Sequence, residues 1–370
     1  MRLATLALAI AALVPSVARA APTDCPLRDA PFSVDSPLVD ILLSPQATAL
    51  TNAATGGTLS KLPAMFGSTK PPTFAAIISL RGASGLGGFG GKALEDLDAK
   101  LRALPVTAAD RQARCARYDN DRPRFTLKPG RPHLLLFEKI NGFKDDPGFN
   151  AAHAMFLAMA ARKGWDIVVT DKGGAFTPAT LSRFDAVIWN NISGDVLTLS
   201  ERRAFRSYIE QGGGFVGVHG SAGDPVYFWD WYADRLIGAR FAGHPLNPQF
   251  QDARIVVDDK ANPAAARLPA SWAMKDEWYS FKTNPRTDGA DVIATLDETS
   301  YKPTGFSGER LAMGDHPIAW TNRIGKGRMF YSAIGHLPGS YSDPHYVAMI
   351  EDAVGWVIDA KRPPRTRAND

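Results

Sequence analysis

The sequence predicts an α/β fold, a parallel sheet with helices on both faces, preceded by a mainly helical segment. Three observations carry that prediction. From Arg131 onward, short apolar runs alternate with amphipathic stretches at the spacing of strand–helix–strand units. Before about residue 120 the apolar positions recur at helical spacing instead. A buried run, Phe215 to Val218, ends abruptly in Gly217-Val218-His219-Gly220, the layout of a strand that turns sharply at the sheet edge. The expected organisation is a leader over 1–20, a helical segment over 21–125, an α/β domain over 131–360 and a basic tail over 361–370.

Met1-Arg2, the apolar run Leu3 to Val14 and the small residues of Ala18-Arg19-Ala20 have the layout of a secretory signal peptide. Export, to the periplasm, is therefore expected. No twin-arginine pair is present, and no lipobox precedes Cys25. Ser36 to Ala54 has a helical pattern, which Pro45 divides into two short helices. Phe74 to Leu80 reads as a strand. Lys92 to Leu104 and Thr107 to Tyr118 are amphipathic, and Thr107 with Asp110 forms a capping signal. In an exported chain the only two cysteines, Cys25 and Cys115, suggest one disulfide tying the ends of this segment together. Closing so long a loop stabilises a fold by roughly 3–5 kcal/mol. Gly85-Leu86-Gly87-Gly88-Phe89-Gly90 matches G-x-G-x-x-G but lacks the second strand and acidic partner of a dinucleotide site, so it reads as a flexible loop.

In the α/β part, strands are expected at His133–Glu138, Trp165–Thr170, Phe184–Trp189 and Phe215–Val218. Helices are expected at Gly148–Lys163, from Thr177, at Ser200–Gln211 and at Pro225–Ile237. Further strands fit Arg254–Val257, Val292–Leu296, Ile318–Trp320 and Arg328–Ser332, with a closing helix at Asp343–Asp359.

Composition narrows the function classes. The 370 residues are 45% apolar and 22% charged, which excludes disordered, collagenous and disulfide-dense chains. A net charge of +4, about +2 once Arg2 and Arg19 are removed (4 − 2), argues against a dedicated nucleic-acid binder. No other stretch is long and apolar enough to span a membrane, so no span is expected after signal cleavage. The sequence leaves the oligomeric state open.

Ligands of open parallel sheets sit beyond the carboxyl ends of the strands, which singles out the His219 turn. The elbow and strand order are similar to the flavodoxin-like, class I glutamine amidotransferase-like architecture. Neither cysteine lies near the elbow, so a thiol nucleophile there is excluded. The stretches GGGFVGVH (212–219), FAGHP (241–245), DEWYSFKTNPR (276–286), HPIAW (316–320) and GKGRMFYSAIGHLPGSY (325–341) resemble the ThuA-like (trehalose utilisation) family over residues 131–360. The resemblance implies an amidotransferase-like fold without its cysteine. It also implies a role in metabolism of trehalose and related disaccharides, notably their 3-keto derivatives. Residue by residue it points to His219, His244, Asp276, Glu277, Tyr279, His316 and His336. This chain departs from relatives at Phe143-Lys144-Asp145, where Asp145 replaces a histidine.

The residues themselves support a similar list. Glu277 beside Trp278, Tyr279 and Phe281 is a carboxylate in an aromatic setting, where burial would raise its pKa toward a general acid or base; pairing with a basic group is the competing reading. Trp229, Trp231 and Trp278 offer faces for sugar stacking, with core packing as the alternative. His244 and His316 are each held extended by a following proline. The expected catalytic set is His219 and Glu277 as the acid–base pair, oriented by His336 and Asp276. The expected substrate-binding set is His244, Tyr279, Trp278, Trp229, His316, Asp145 and Asp224. His219, His336 and Glu277 also make a ligand set for a divalent metal. The expectation is acid–base elimination, hydration or cleavage of a 3-keto-glycoside or disaccharide. A non-catalytic carbohydrate-binding module and a plain glycosidase are the alternatives.

Overall fold

The computed structural model describes residues 23–87, 90–305 and 307–361. The expected signal peptide and basic tail fall outside these, apart from Lys361 at the edge of the tail, as do Gly88 and Phe89 of the glycine-rich stretch.

The described residues before about 116 are mainly helical. α1 (Leu38–Leu43) and α2 (Pro45–Thr55) are separated at Ser44, because Pro45 takes the first position of α2, where its missing N–H costs nothing. α3 (Ala64–Gly67), α4 (Leu80–Gly87), α5 (Lys92–Arg102) and α6 (Ala108–Cys115) follow. Thr107 and Asp110 cap α6 reciprocally, as their spacing suggested. Phe74 to Leu80 is not a strand. A short 3₁₀ turn covers Phe74–Ala76, α4 begins at Leu80, and Gly85–Gly87 lie within that helix. Phe32, Val39, Ile41, Leu94, Leu97 and others form a small core of this segment's own. Cys25 and Cys115 are disulfide-bonded with their Cα atoms 5.4 Å apart. Buried Arg114 donates to the carbonyls of Leu27, Arg28 and Ala30, which holds the chain's start against α6.

The remainder is built on a nine-stranded sheet in the order β2-β1-β3-β4-β11-β10-β9-β6-β7. β1 (His133–Phe137), β2 (Asp166–Thr170), β3 (Ala186–Asn190) and β4 (Gly214–Val218) alternate with α7 (Asp146–Lys163), α8 (Pro178–Leu181) and α9 (Leu199–Glu210). These strands pair in parallel, and β4 pairs in parallel with β11 (Gly327–Ser332). The near-continuous apolar character of β1, β3 and β4 follows from burial on both faces. α10 (Pro344–Ile358) closes the chain against β11 and β4.

The other half of the same sheet is antiparallel. β6 (Phe250–Val257), β7 (Ser271–Glu277), β9 (Asp291–Asp297) and β10 (Pro317–Ile324) pair antiparallel with their neighbours. β5 (Phe241–Gly243) and β8 (Ser280–Phe281) form a separate two-stranded ribbon. The expected helix at Pro225–Ile237 is restricted to a π-helical segment, Trp231–Ile237. Four strand steps separate β11 from β7. A flat sheet would hold them about 19 Å apart at about 4.8 Å per step. Glu277, the last residue of β7, nonetheless touches side chains that follow β4 and β11. The antiparallel half therefore curls over the carboxyl ends of the parallel half.

Candidate functional site

The site lies where the parallel-sheet rule places it, beyond the carboxyl ends of β1, β3, β4 and β11. A pocket of about 390 Å³ is lined by Asp145 after β1, Asn191 after β3, His219 and Asp224 after β4, and His336 after β11. Glu277 closes it from the antiparallel half, with His244 and Gln249 beside it. The volume is that of a small-molecule site.

His219 sits at the elbow with φ +38°, a left-handed conformation that a non-glycine residue adopts only when its surroundings hold it there. Its ring Nδ1 donates to the Ala333 carbonyl at 2.7 Å, and its own carbonyl accepts from the Tyr331 hydroxyl. Tyr279 stacks on the imidazole, ring centres 4.3 Å apart. With Nδ1 committed, Nε2 is the atom that faces Glu277 and His336.

His336 reaches the same point along a different path. Gly335 carries φ +136°, and a Cβ there would lie 2.2 Å from the Tyr341 hydroxyl, so only glycine makes this turn. Asp276 pins the turn from below. Fully buried, its carboxylate accepts from the backbone N–H groups of Glu277, Gly335, His336 and Leu337 and from the Ser340 hydroxyl. Asp276 does not line the pocket; it positions both Glu277 and His336.

The three side chains converge. Glu277 Oε2 is 3.4 Å from His219 Nε2 and 3.2 Å from His336 Nδ1, and the two imidazole nitrogens are 3.4 Å apart. Glu277 Oε1 lies 3.2 Å from His244 Nδ1 and accepts from Gln249. Burial by itself would raise the Glu277 pKa, but the imidazoles of His219, His336 and His244 packed around it outweigh burial and push the pKa well down. This reverses the expected direction: Glu277 is a firmly held carboxylate, not a poised acid. Burial by itself would lower the His336 pKa, and the hydrogen bond and charge of Glu277 raise it instead. A divalent ion about 2.0–2.1 Å from three tetrahedral ligands spaces them about 3.3–3.4 Å apart. The triangle of His219, His336 and Glu277 fits that requirement.

Asp145 caps α7 through Gly148 N–H and lies 3.9 Å from His336 Nε2 at the pocket wall. Asp224 accepts from Ser193 Oγ at 2.6 Å and Gly194 N–H at 2.7 Å, and burial pushes its pKa up to about 7. A carboxyl whose folded pKa exceeds its unfolded value of 3.8 subtracts stability as pH rises from about 4 to about 7. Asp224→Asn removes that loss, since its amide can face Ser193 Oγ while its oxygen accepts from Gly194. Melting temperatures at pH 5 and pH 8 are expected to show the variant gaining on the parent at the higher pH. An equal difference at both would refute the assignment.

Three expected binding residues lie elsewhere. Trp278 is fully buried and donates its indole N–H to the Gln251 carbonyl. Trp229 packs among Trp231, Tyr232 and Phe205 beneath the Arg202 guanidinium and lines a separate cavity of about 30 Å³. Trp278 is core and half-buried Trp229 packs against the core, because aromatic surface finds more to bury against inside than at a wet rim. His316 uses Nδ1 on Glu298 and Nε2 on the Tyr279 carbonyl, behind the pocket wall. Sequence reasoning missed Asn191 and Gln249. Asn191, with φ +52°, hydrogen-bonds the Tyr341 hydroxyl and lies two residues past a predicted strand, a signal that was available. Gln249 carried none.

The trehalose-utilisation (ThuA) family profile matches residues 133–357. Among solved structures, a ThuA-like protein from Bacteroides uniformis is 26% identical with a TM-score of 0.54, covering 64% of this chain and 94% of its own. A ThuA-like protein from Parabacteroides merdae is 17% identical with a TM-score of 0.47, covering 62% and 90%. No curated protein matches the chain.

Proposed function

This chain belongs to the ThuA (trehalose utilisation) family, and we propose that it is an exported, periplasmic enzyme that cleaves a 3-keto-glycoside by acid–base elimination. The observation that supports this reading is the pair of imidazoles sharing one buried carboxylate in a small-molecule pocket. A carbonyl at C3 acidifies the C2 proton. His219 Nε2, its other nitrogen committed to Ala333, takes that proton. The C2–H electron pair becomes the C1–C2 double bond as the C1–O bond breaks. His336, whose pKa Glu277 raises, gives its proton to the departing oxygen. Glu277 fixes both rings and balances the charge. Asp145 and His244, on the pocket wall, are assigned to the sugar hydroxyls.

The ligand-like spacing of the same three atoms favours a second reading, in which His219, His336 and Glu277 would hold a divalent ion that would supply Lewis acidity to the pocket. Product analysis separates them. The purified protein is mixed with trehalose and 3-keto-trehalose, after exhaustive chelation and with divalent metal restored. Turnover of the keto sugar alone, surviving chelation, is expected. Activity that returns only with metal moves the assignment to the ion. Cleavage of plain trehalose makes it a glycosidase, and binding without turnover makes it a binding module.

A further inference from the structure

We propose that the helical N-terminal segment builds an apolar subsite beside the His219–Glu277–His336 cluster and that this subsite takes an aromatic aglycone. The proposal rests on the glycoside reading above and narrows its substrate class: an aryl glycoside in preference to a disaccharide.

Met65 of α3, and Phe74 and Ile77 of the turn before α4, line the same pocket as the cluster. Phe143 and Leu246 are also in its wall. Met65 is 50% exposed, Phe143 42% and Leu246 37%. They are three of the six large apolar side chains that are exposed among the described residues, gathered at one pocket mouth. Such a concentration marks a contact surface rather than chance exposure. Phe74 meets Phe143 edge-on with ring centres 5.9 Å apart, and Phe143 lies 6.3 Å from the His336 ring. The apolar wall therefore runs up to the imidazole assigned to the leaving group, on the side where a C1 substituent departs.

The wall is fixed in place. Thr73 N–H donates to the Asn141 carbonyl, beside which Gly142 admits Ile77: a Cβ on Gly142 would lie 2.5 Å from Ile77 Cγ2. None of the side chains of Met65, Phe74, Ile77, Phe143 and Leu246 carries a strong hydrogen-bonding group. A second sugar ring would lose water from its hydroxyls here and gain no partner in return. An aromatic ring would gain edge-on ring contacts and the Met65 sulfur.

The test compares calorimetric affinities of phenyl and methyl glucosides, of both anomers and in plain and 3-keto forms, with trehalose and free 4-nitrophenol. The phenyl compounds are expected to bind about tenfold or more tightly than the methyl ones. Met65→Ser, an exposed position, and Phe74→Ser should each erase that preference and leave methyl glucoside affinity unchanged, with melting curves confirming the fold. Equal affinity for phenyl and methyl partners, tighter binding of trehalose, or equal loss for both in the variants overturns the subsite. If no glycoside binds, the glycoside reading fails by itself. Free 4-nitrophenol then decides the subsite: binding that Met65→Ser abolishes keeps it, and no binding ends it.

Discussion

His219→Asn is expected to lower turnover of a 3-keto-glycoside by about 10²–10⁴-fold, the usual contribution of a positioned general base, with little change in melting temperature. Asparagine is the informative replacement. It tolerates the left-handed backbone that the elbow imposes, and its amide can still donate to the Ala333 carbonyl. What it removes is the basic Nε2. Steady-state rates at saturating substrate, together with a thermal melt, check the outcome. A variant that is folded and fully active would remove His219 from the mechanism. A variant whose KM rises while kcat stands would make the histidine a binding group instead.

Asp276→Ala is expected to destabilise the protein by about 4 kcal/mol or more, because it leaves several buried donors without an acceptor. The melting temperature should fall by roughly 5–10 °C. Asp276→Asn keeps the volume, yet its amide group must face N–H donors, so it should recover only part of the loss. Both variants also free the His336 turn. The pH profile of any remaining activity should therefore shift, which loss of packing alone would not cause. A change below about 1 kcal/mol in chemical denaturation would show that water satisfies these donors.

Most of the parallel half was legible because buried parallel strands are apolar at every position, as in Leu134–Phe137 and Gly214–Val218. The elbow was legible because glycines flank a single histidine at a strand end. β7 was harder. Its inward residues Trp272, Met274 and Asp276 alternate correctly, but the third is a carboxylate, and nothing local shows that four backbone N–H groups await it. The charge state of Glu277 was illegible for a related reason. Aromatic neighbours in sequence suggested a raised pKa, whereas its effective partners, His219 and His336, come from positions distant along the chain. Tryptophans give no local sign of which face of the wall they occupy, so Trp229 and Trp278 looked like sugar platforms when the second is core and the first packs against it.

The carboxylate and the imidazoles depend on different parts of one sheet. His219 and His336 follow interior strands paired on both sides, while Glu277 ends β7, an edge strand held in the ladder only by β6. Edges open before centres, at a smaller free-energy cost than global unfolding. Mild denaturant should therefore separate Glu277 from its two partners while the parallel core still stands, so that inactivation precedes the main unfolding transition. Amide exchange in 271–277 would then run ahead of that in 214–218.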